Sequence, residues 1–152
     1  DAIWSTDFWP DDSISTTEEI RKYARHVIKC AIELRDRESA RQQHVLLKQA
    51  IDFINENYSD SSISLDKVAK NVNISPNYLS AVFSQEVGQT LTEYITSRRI
   101  NEAKNMLRNT DMRLSEIGFA VGYKDPHYFS FVFKKVSGCT PSEYRRGSGS
   151  EH

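Results

Sequence analysis

An internal repeat restricts the fold more than any other feature of the sequence. Pro76-Asn-Tyr-Leu-Ser-Ala-Val-Phe83 aligns with Pro126-His-Tyr-Phe-Ser-Phe-Val-Phe133 at an offset of 50 residues, with five of eight positions identical. The same offset pairs Gly88 with Gly138, Thr90 with Thr140, Glu93 with Glu143 and Tyr94 with Tyr144. Upstream, Leu65-Asp-Lys-Val-Ala pairs with Leu114-Ser-Glu-Ile-Gly at an offset of 49, so one residue is gained before Pro126. Two copies fall short of the three or more that a solenoid needs. They specify a duplicated supersecondary unit.

Each copy reads as helix, tight turn, helix. Leu65, Val68, Ala69 and Val72 fall on one face of a short helix. Asn73-Ile74-Ser75 breaks it, and Ser75 can satisfy an orphan N–H of the next helix, with Pro76 at its first position. Leu79, Val82, Phe83 and Val87 then face inward, and Gly88 stops the helix. In the second copy Leu114, Ile117 and Val121 form the short helix and Gly122-Tyr123-Lys124 the turn. Asp125 caps, Pro126 starts, Phe129, Val132, Phe133 and Val136 face inward, and Gly138 stops. Two short helices joined by a tight turn, the second one capped, describe a helix-turn-helix.

Thr90-Leu-Thr-Glu93 and Thr140-Pro-Ser-Glu143 are capping boxes. The first opens a connecting helix that runs to Arg108 and spans roughly 27 Å at about 1.5 Å per residue. Successive major grooves on one DNA face lie about 34 Å apart, so such a helix can hold two reading helices near one turn apart. The expected fold is all-α: two helix-turn-helix subdomains joined by a long central helix and preceded by a helical linker.

Three segments follow from this organisation. Residues 1–44 are an acidic lead-in and helical linker. Their first fifteen residues hold Trp4, Phe8 and Trp9 among acids, either as a docking lead-in or as the remnant of an upstream domain. Thr16-Thr-Glu-Glu19 is a capping box, and Ile20, Ala24, Val27, Ala31 and Leu34 form a heptad-like seam. That seam suits a dimerisation helix through residues 16–44, or an amphipathic helix packed on its own domain. Residues 45–146 form the double helix-turn-helix. Residues 147–152, Gly-Ser-Gly-Ser-Glu-His, read as a flexible tail or a cloning scar. The chain begins at Asp1 and not at Met, so a longer parent is expected.

Charge agrees with this division. Residues 45–146 carry 13 basic and 11 acidic residues, and residues 1–44 carry 7 and 9. A net charge of −1 for the whole chain excludes a purely electrostatic, histone-like binder, but not one whose positive charge is local. No apolar run approaches a membrane span, no signal-peptide pattern is present, and two cysteines are too few for a disulfide scaffold. A cytoplasmic setting is expected.

The repeat resembles the AraC/XylS family of bacterial transcription regulators. The resemblance rests on Ser75-Pro-Asn-Tyr-Leu-Ser80, Phe83, Gly88 and Ile95-Thr-Ser-Arg-Arg-Ile-Asn-Glu-Ala103. It rests above all on Ile117-Gly-Phe-Ala-Val-Gly-Tyr-Lys-Asp-Pro-His-Tyr-Phe-Ser130, Phe133-Lys-Lys135 and Gly138-Cys-Thr-Pro-Ser-Glu-Tyr-Arg145. It covers about two thirds of the chain. It implies two helix-turn-helix units, each able to insert a helix into the major groove of double-stranded DNA near a promoter. RNA polymerase is a further candidate partner. The Lys-Asp-Pro-His-Tyr-Phe variant also resembles output domains of two-component response regulators, with residues 1–44 as the linker from a receiver domain.

Helical spacing puts Asn77, Ser80, Ala81 and Ser84 on one outward stripe, and His127, Ser130, Phe131 and Lys134 on its counterpart. Asn77 suits bidentate bonding to adenine, and His127 can reach base acceptors or phosphate. Ala81 and Phe131 offer only apolar contact, for instance to thymine methyls. Many members of the family carry Arg at the position of Phe131, and its absence removes strong guanine readout. Phe131 also fits a role packed under the helix. Arg98, Arg99, Lys134, Lys135, Arg145 and Arg146 are candidate phosphate contacts, with hydroxyls from Tyr78 and Tyr128.

No Gly-rich phosphate loop, catalytic Ser/His/Asp context or zinc spacing of Cys and His is present, so neither an enzyme nor a cofactor is expected. Cys139, opposite Gln89 in the repeat, reads as structural. The competing class is a helical protein-interaction module without DNA readout. The polar content of the two stripes favours DNA over it.

Overall fold

The computed structural model describes residues 16–147, so Trp4, Phe8, Trp9 and the tail beyond Gly147 lie outside the described residues. Seven helices account for the regular structure of the described residues: α1 (Thr17–Asn57), α2 (Leu65–Asn71), α3 (Pro76–Val87), α4 (Leu91–Asn109), α5 (Leu114–Ala120), α6 (Pro126–Ser137) and α7 (Pro141–Arg145). The chain divides into two compact units, Asp1–Val45 and Leu46–His152.

In the first unit the described residues after Thr16 belong to α1. Its start is capped reciprocally: Thr16 Oγ1 accepts from the Glu19 N–H, and the Thr16 N–H donates to the Glu19 carboxylate at 3.0 Å. The polar stretch Arg35–His44 does not interrupt the helix. Ile20, Ile28, Ile32 and Leu34 are exposed in this unit.

The second unit contains two cores. The first gathers Ala50 and Ile54 of α1, Val68 and Ala69 of α2, Leu79 and Phe83 of α3, and Leu91 and Ile95 of α4. The second gathers Ile100, Ala103 and Leu107 of α4, Ile117 of α5, and Phe129, Val132 and Phe133 of α6. Helix α4 therefore closes one core with its first half and opens the other with its second. Phe83, Phe129 and Phe133 are fully buried, and each contributes roughly 1.5–3 kcal/mol by leaving water.

The repeat extends to ring geometry. Phe83 meets Tyr94 edge-on at 5.5 Å and 75°, and Phe133 meets Tyr144 at 5.6 Å and 75°. The stops match too: Gly88 (φ 74°) and Gly138 (φ 79°) are both left-handed.

The extra residue of the second copy is Lys124. In both turns the chain exits the first helix identically. Asn73 and Ile74 donate to the carbonyls of Lys70 and Ala69, and Gly122 and Tyr123 donate to those of Phe119 and Gly118. Ser75 then caps α3 directly, whereas Lys124 intervenes before Asp125 caps α6. The residue at positive φ is Asn73 (56°) in one turn and Gly122 (97°) in the other. Gly122 is also required by space, because a Cβ there would sit 2.9 Å from the carbonyl oxygens of Tyr58 and Ser59.

One expectation about the core needs correction. Val136 is 47% exposed and does not face inward, because it lies in the last turn of α6 beyond the reach of the second core.

Candidate nucleic-acid interface

Both candidate reading helices start on a side-chain cap. Ser75 accepts from the Tyr78 N–H at 3.2 Å, and Asp125 accepts from the His127 N–H at 2.8 Å. Each cap orients the first turn of its helix, where the outward stripe begins.

On α3, Asn77 and Ala81 are exposed and Ser80 and Ser84 half-buried. On α6, His127, Phe131, Lys134 and Lys135 are exposed, while Ser130 is half-buried and donates its hydroxyl to the Pro126 carbonyl at 2.9 Å. Tyr78 and Tyr128 flank these stripes, 42% and 57% exposed. Phe131 is 64% exposed, so the alternative in which it packs under the helix is overturned. It leans instead on Tyr128, ring centroids 6.5 Å apart and planes within 27°.

The cationic candidates fall into two sets. Lys134, Lys135 and Arg146 are exposed. Arg98, Arg99 and Arg145 face other parts of the chain. Arg98 pairs with Glu102 at 3.2 Å and lies over the Tyr58 ring. Arg99 donates through Nε to the Tyr58 carbonyl at 2.7 Å and through Nη2 to the Asp60 carbonyl at 3.0 Å, and it covers the Tyr123 ring. Burial pulls the Arg99 guanidinium below its ordinary pKa, offset in part by Tyr123 and Asp60. Arg145 donates to the Met112 carbonyl. The guanidinium groups of Arg99 and Arg145 thus clamp loop carbonyls within the chain. Arg99 fastens the loop after α1 beside the turn of the second copy.

That loop is itself braced. Hydrogen bonds from the Ser62 hydroxyl and N–H, and from Lys67, hold the Asp60 carboxyl well below the usual carboxylate range.

A cleft of about 290 Å³ opens between the two helix-turn-helix copies, lined among others by Ser64, Thr92, Thr96, Arg99, Lys124 and Tyr128. Lys124 is exposed and stands immediately before the cap of α6. Sequence reasoning assigned it only to a turn. The one-residue slip in the repeat was the signal that could have singled it out. Among the described residues no group of His, Cys, Asp and Glu could hold a metal.

A family model described as a helix-turn-helix domain matches residues 68–147. The arabinose operon regulatory protein of Escherichia coli is 38% identical over 101 residues, covering 66% of this chain and 35% of that protein. The chain belongs to the AraC/XylS family. The AraC-type chain spans about a third of the length of the curated relatives it matches first. Solved structures similar to it include two C-terminal domains of response regulators. One is the C-terminal domain of AraT, a response regulator from Geobacillus stearothermophilus, at 37% identity and a TM-score of 0.66, covering 67% of this chain and 84% of that one. The other is the C-terminal domain of the two-component response regulator YesN from Fusobacterium nucleatum, at 33% and 0.63, covering 64% and 95%.

Proposed function

We propose that this chain binds double-stranded DNA sequence-specifically through α3 and α6 in successive major grooves, and thereby regulates transcription at bacterial promoters. The observation that carries this reading is the placement of two capped helices with outward stripes on one 19-residue helix, α4. At about 1.5 Å per residue α4 is roughly 28 Å long, close to one turn of duplex.

Asn77, Ser80, Ala81, Ser84, His127, Ser130 and Phe131 face base edges in this reading. Lys134, Lys135 and Arg146, with Tyr78, Tyr128 and Lys124, face phosphates. Those contacts fix register and orientation without selecting sequence. The double helix-turn-helix spans residues 45–146. Residues 16–44 are a linker whose exposed Ile20, Ile28, Ile32 and Leu34 suit pairing with a second copy. Similarity to the C-terminal domains of two response regulators supports a place downstream of a receiver domain. RNA polymerase is the partner that promoter binding implies. No described helix is long and apolar enough to cross a membrane, and the reading places the chain with DNA in the cytoplasm.

The test is selection of residues 1–152 against a pool of random duplexes at two salt concentrations. Enrichment of two short elements about one helical turn apart is expected. A mirrored pair of such sites would add dimerisation through residues 16–44. Absence of any binding at low salt would sink the DNA reading and leave the protein-interaction module.

A further inference from the structure

The outward face of α6 has an apolar centre and a cationic rim. Phe131 and Tyr128 stack there, each residue more than half exposed. His127 stands four residues before Phe131, and Lys134 and Lys135 stand three and four after it, so all three border the ring on the helix surface. The slab is braced from behind. Tyr128 meets Tyr123 at 6.0 Å, and Tyr123 lies beneath the clamped guanidinium of Arg99 at 5.2 Å. The rings therefore stay outside the core. At the matching position of α3 stands Ala81, so the slab belongs to the second copy alone.

A cationic rim fits a polyanion, and the apolar centre then needs an apolar feature within it. The major groove supplies one such group on its base edges: the 5-methyl of thymine. Neither ring can form the bidentate bonds that guanine or adenine would offer. We infer that the DNA element facing α6 contains thymine, and that Phe131, backed by Tyr128, selects it by packing on the 5-methyl group. This rests on the proposed DNA reading and names the base chemistry of one half of the site.

The experiment uses the full chain and its selected duplex, with deoxyuridine replacing thymidine at each position of the α6 element in turn. That exchange removes one methyl and leaves base pairing unchanged. At one or more positions the uracil duplex should bind roughly fourfold more weakly, the worth of one buried methyl group. Phe131→Ala should bind thymine and uracil duplexes equally while keeping its helical circular dichroism, because the ring is exposed. Phe131→Leu should keep part of the preference. Equal binding of both duplexes by the native chain at every position overturns the inference alone and assigns the slab to a protein surface. A preference that survives in Phe131→Ala overturns it too. Failure to select any duplex overturns it together with the DNA reading.

Discussion

In the first copy of the helix-turn-helix, α3 carries neither lysine nor arginine and one acid, Glu86. In the second, α6 carries Lys134 and Lys135 and no acid. The inner sides hardly differ. Both copies end on a left-handed glycine, and both set a buried phenylalanine edge-on against a tyrosine at the same angle. Packing and backbone geometry hold the frame fixed, whereas outward positions are free to change chemistry. The copies therefore present different surfaces on one frame. Helix α3 offers small neutral groups, and α6 offers an aromatic slab with charge around it.

Truncating the core rings probes the shared frame. Phe83→Ala and Phe133→Ala should each cost about 3–5 kcal/mol, and the two losses should agree within about 1 kcal/mol. Urea unfolding followed by circular dichroism measures both. A Phe133→Ala loss less than half that of Phe83→Ala would break the equivalence.

The next test concerns a pair of buried positions at which the two inner frames differ. Gly118 of α5 replaces Ala69 of α2, and Phe129 replaces Leu79. A Cβ on Gly118 would lie 3.1 Å from the Phe129 ring. Gly118→Ala should destabilise by about 1 kcal/mol, overpacking outweighing the gain in helix propensity. With Phe129→Leu also present, Gly118→Ala should become neutral or stabilising. That is a coupling of about 1–2 kcal/mol in a double-mutant cycle. Additive effects would mean that the two exchanges are unrelated.

The outward difference has its own, smaller readout. Lys134→Ala with Lys135→Ala should reduce the slope of log affinity against log salt by about 1.8, at about 0.9 for each phosphate no longer neutralised. The same change at Ser84 and Gln85 of α3 should leave the slope within about 0.3. Equal slopes for the two double variants would remove the assignment of charge to the second copy.

Much of the fold was legible because caps and stops are local. Ser75, Thr90 and Thr140 each accept from the backbone N–H three residues on, a pattern short enough to read from sequence. The site was less legible. Arg99 and Arg145 look like any exposed basic residue, since the carbonyls that hold them belong to residues 41 or 39 and 33 positions away. Phe131 was ambiguous because helical period places it outward while its chemistry suggests the core. Val136 follows the apolar period of α6, yet it is left 47% exposed in the last turn of that helix.

Because a single helix serves both cores, the two reading helices reach a duplex as one stiff body. Two modules on a flexible tether would sample a cloud of separations and tolerate many spacings at similar strength. Helix α4 allows one separation. One added base pair between the two DNA elements displaces the second by about 3.4 Å along the axis and turns it by about 35°. No linker is there to absorb either change. Spacing is then expected to be read together with sequence, and duplexes with both correct elements at the wrong interval should bind more weakly.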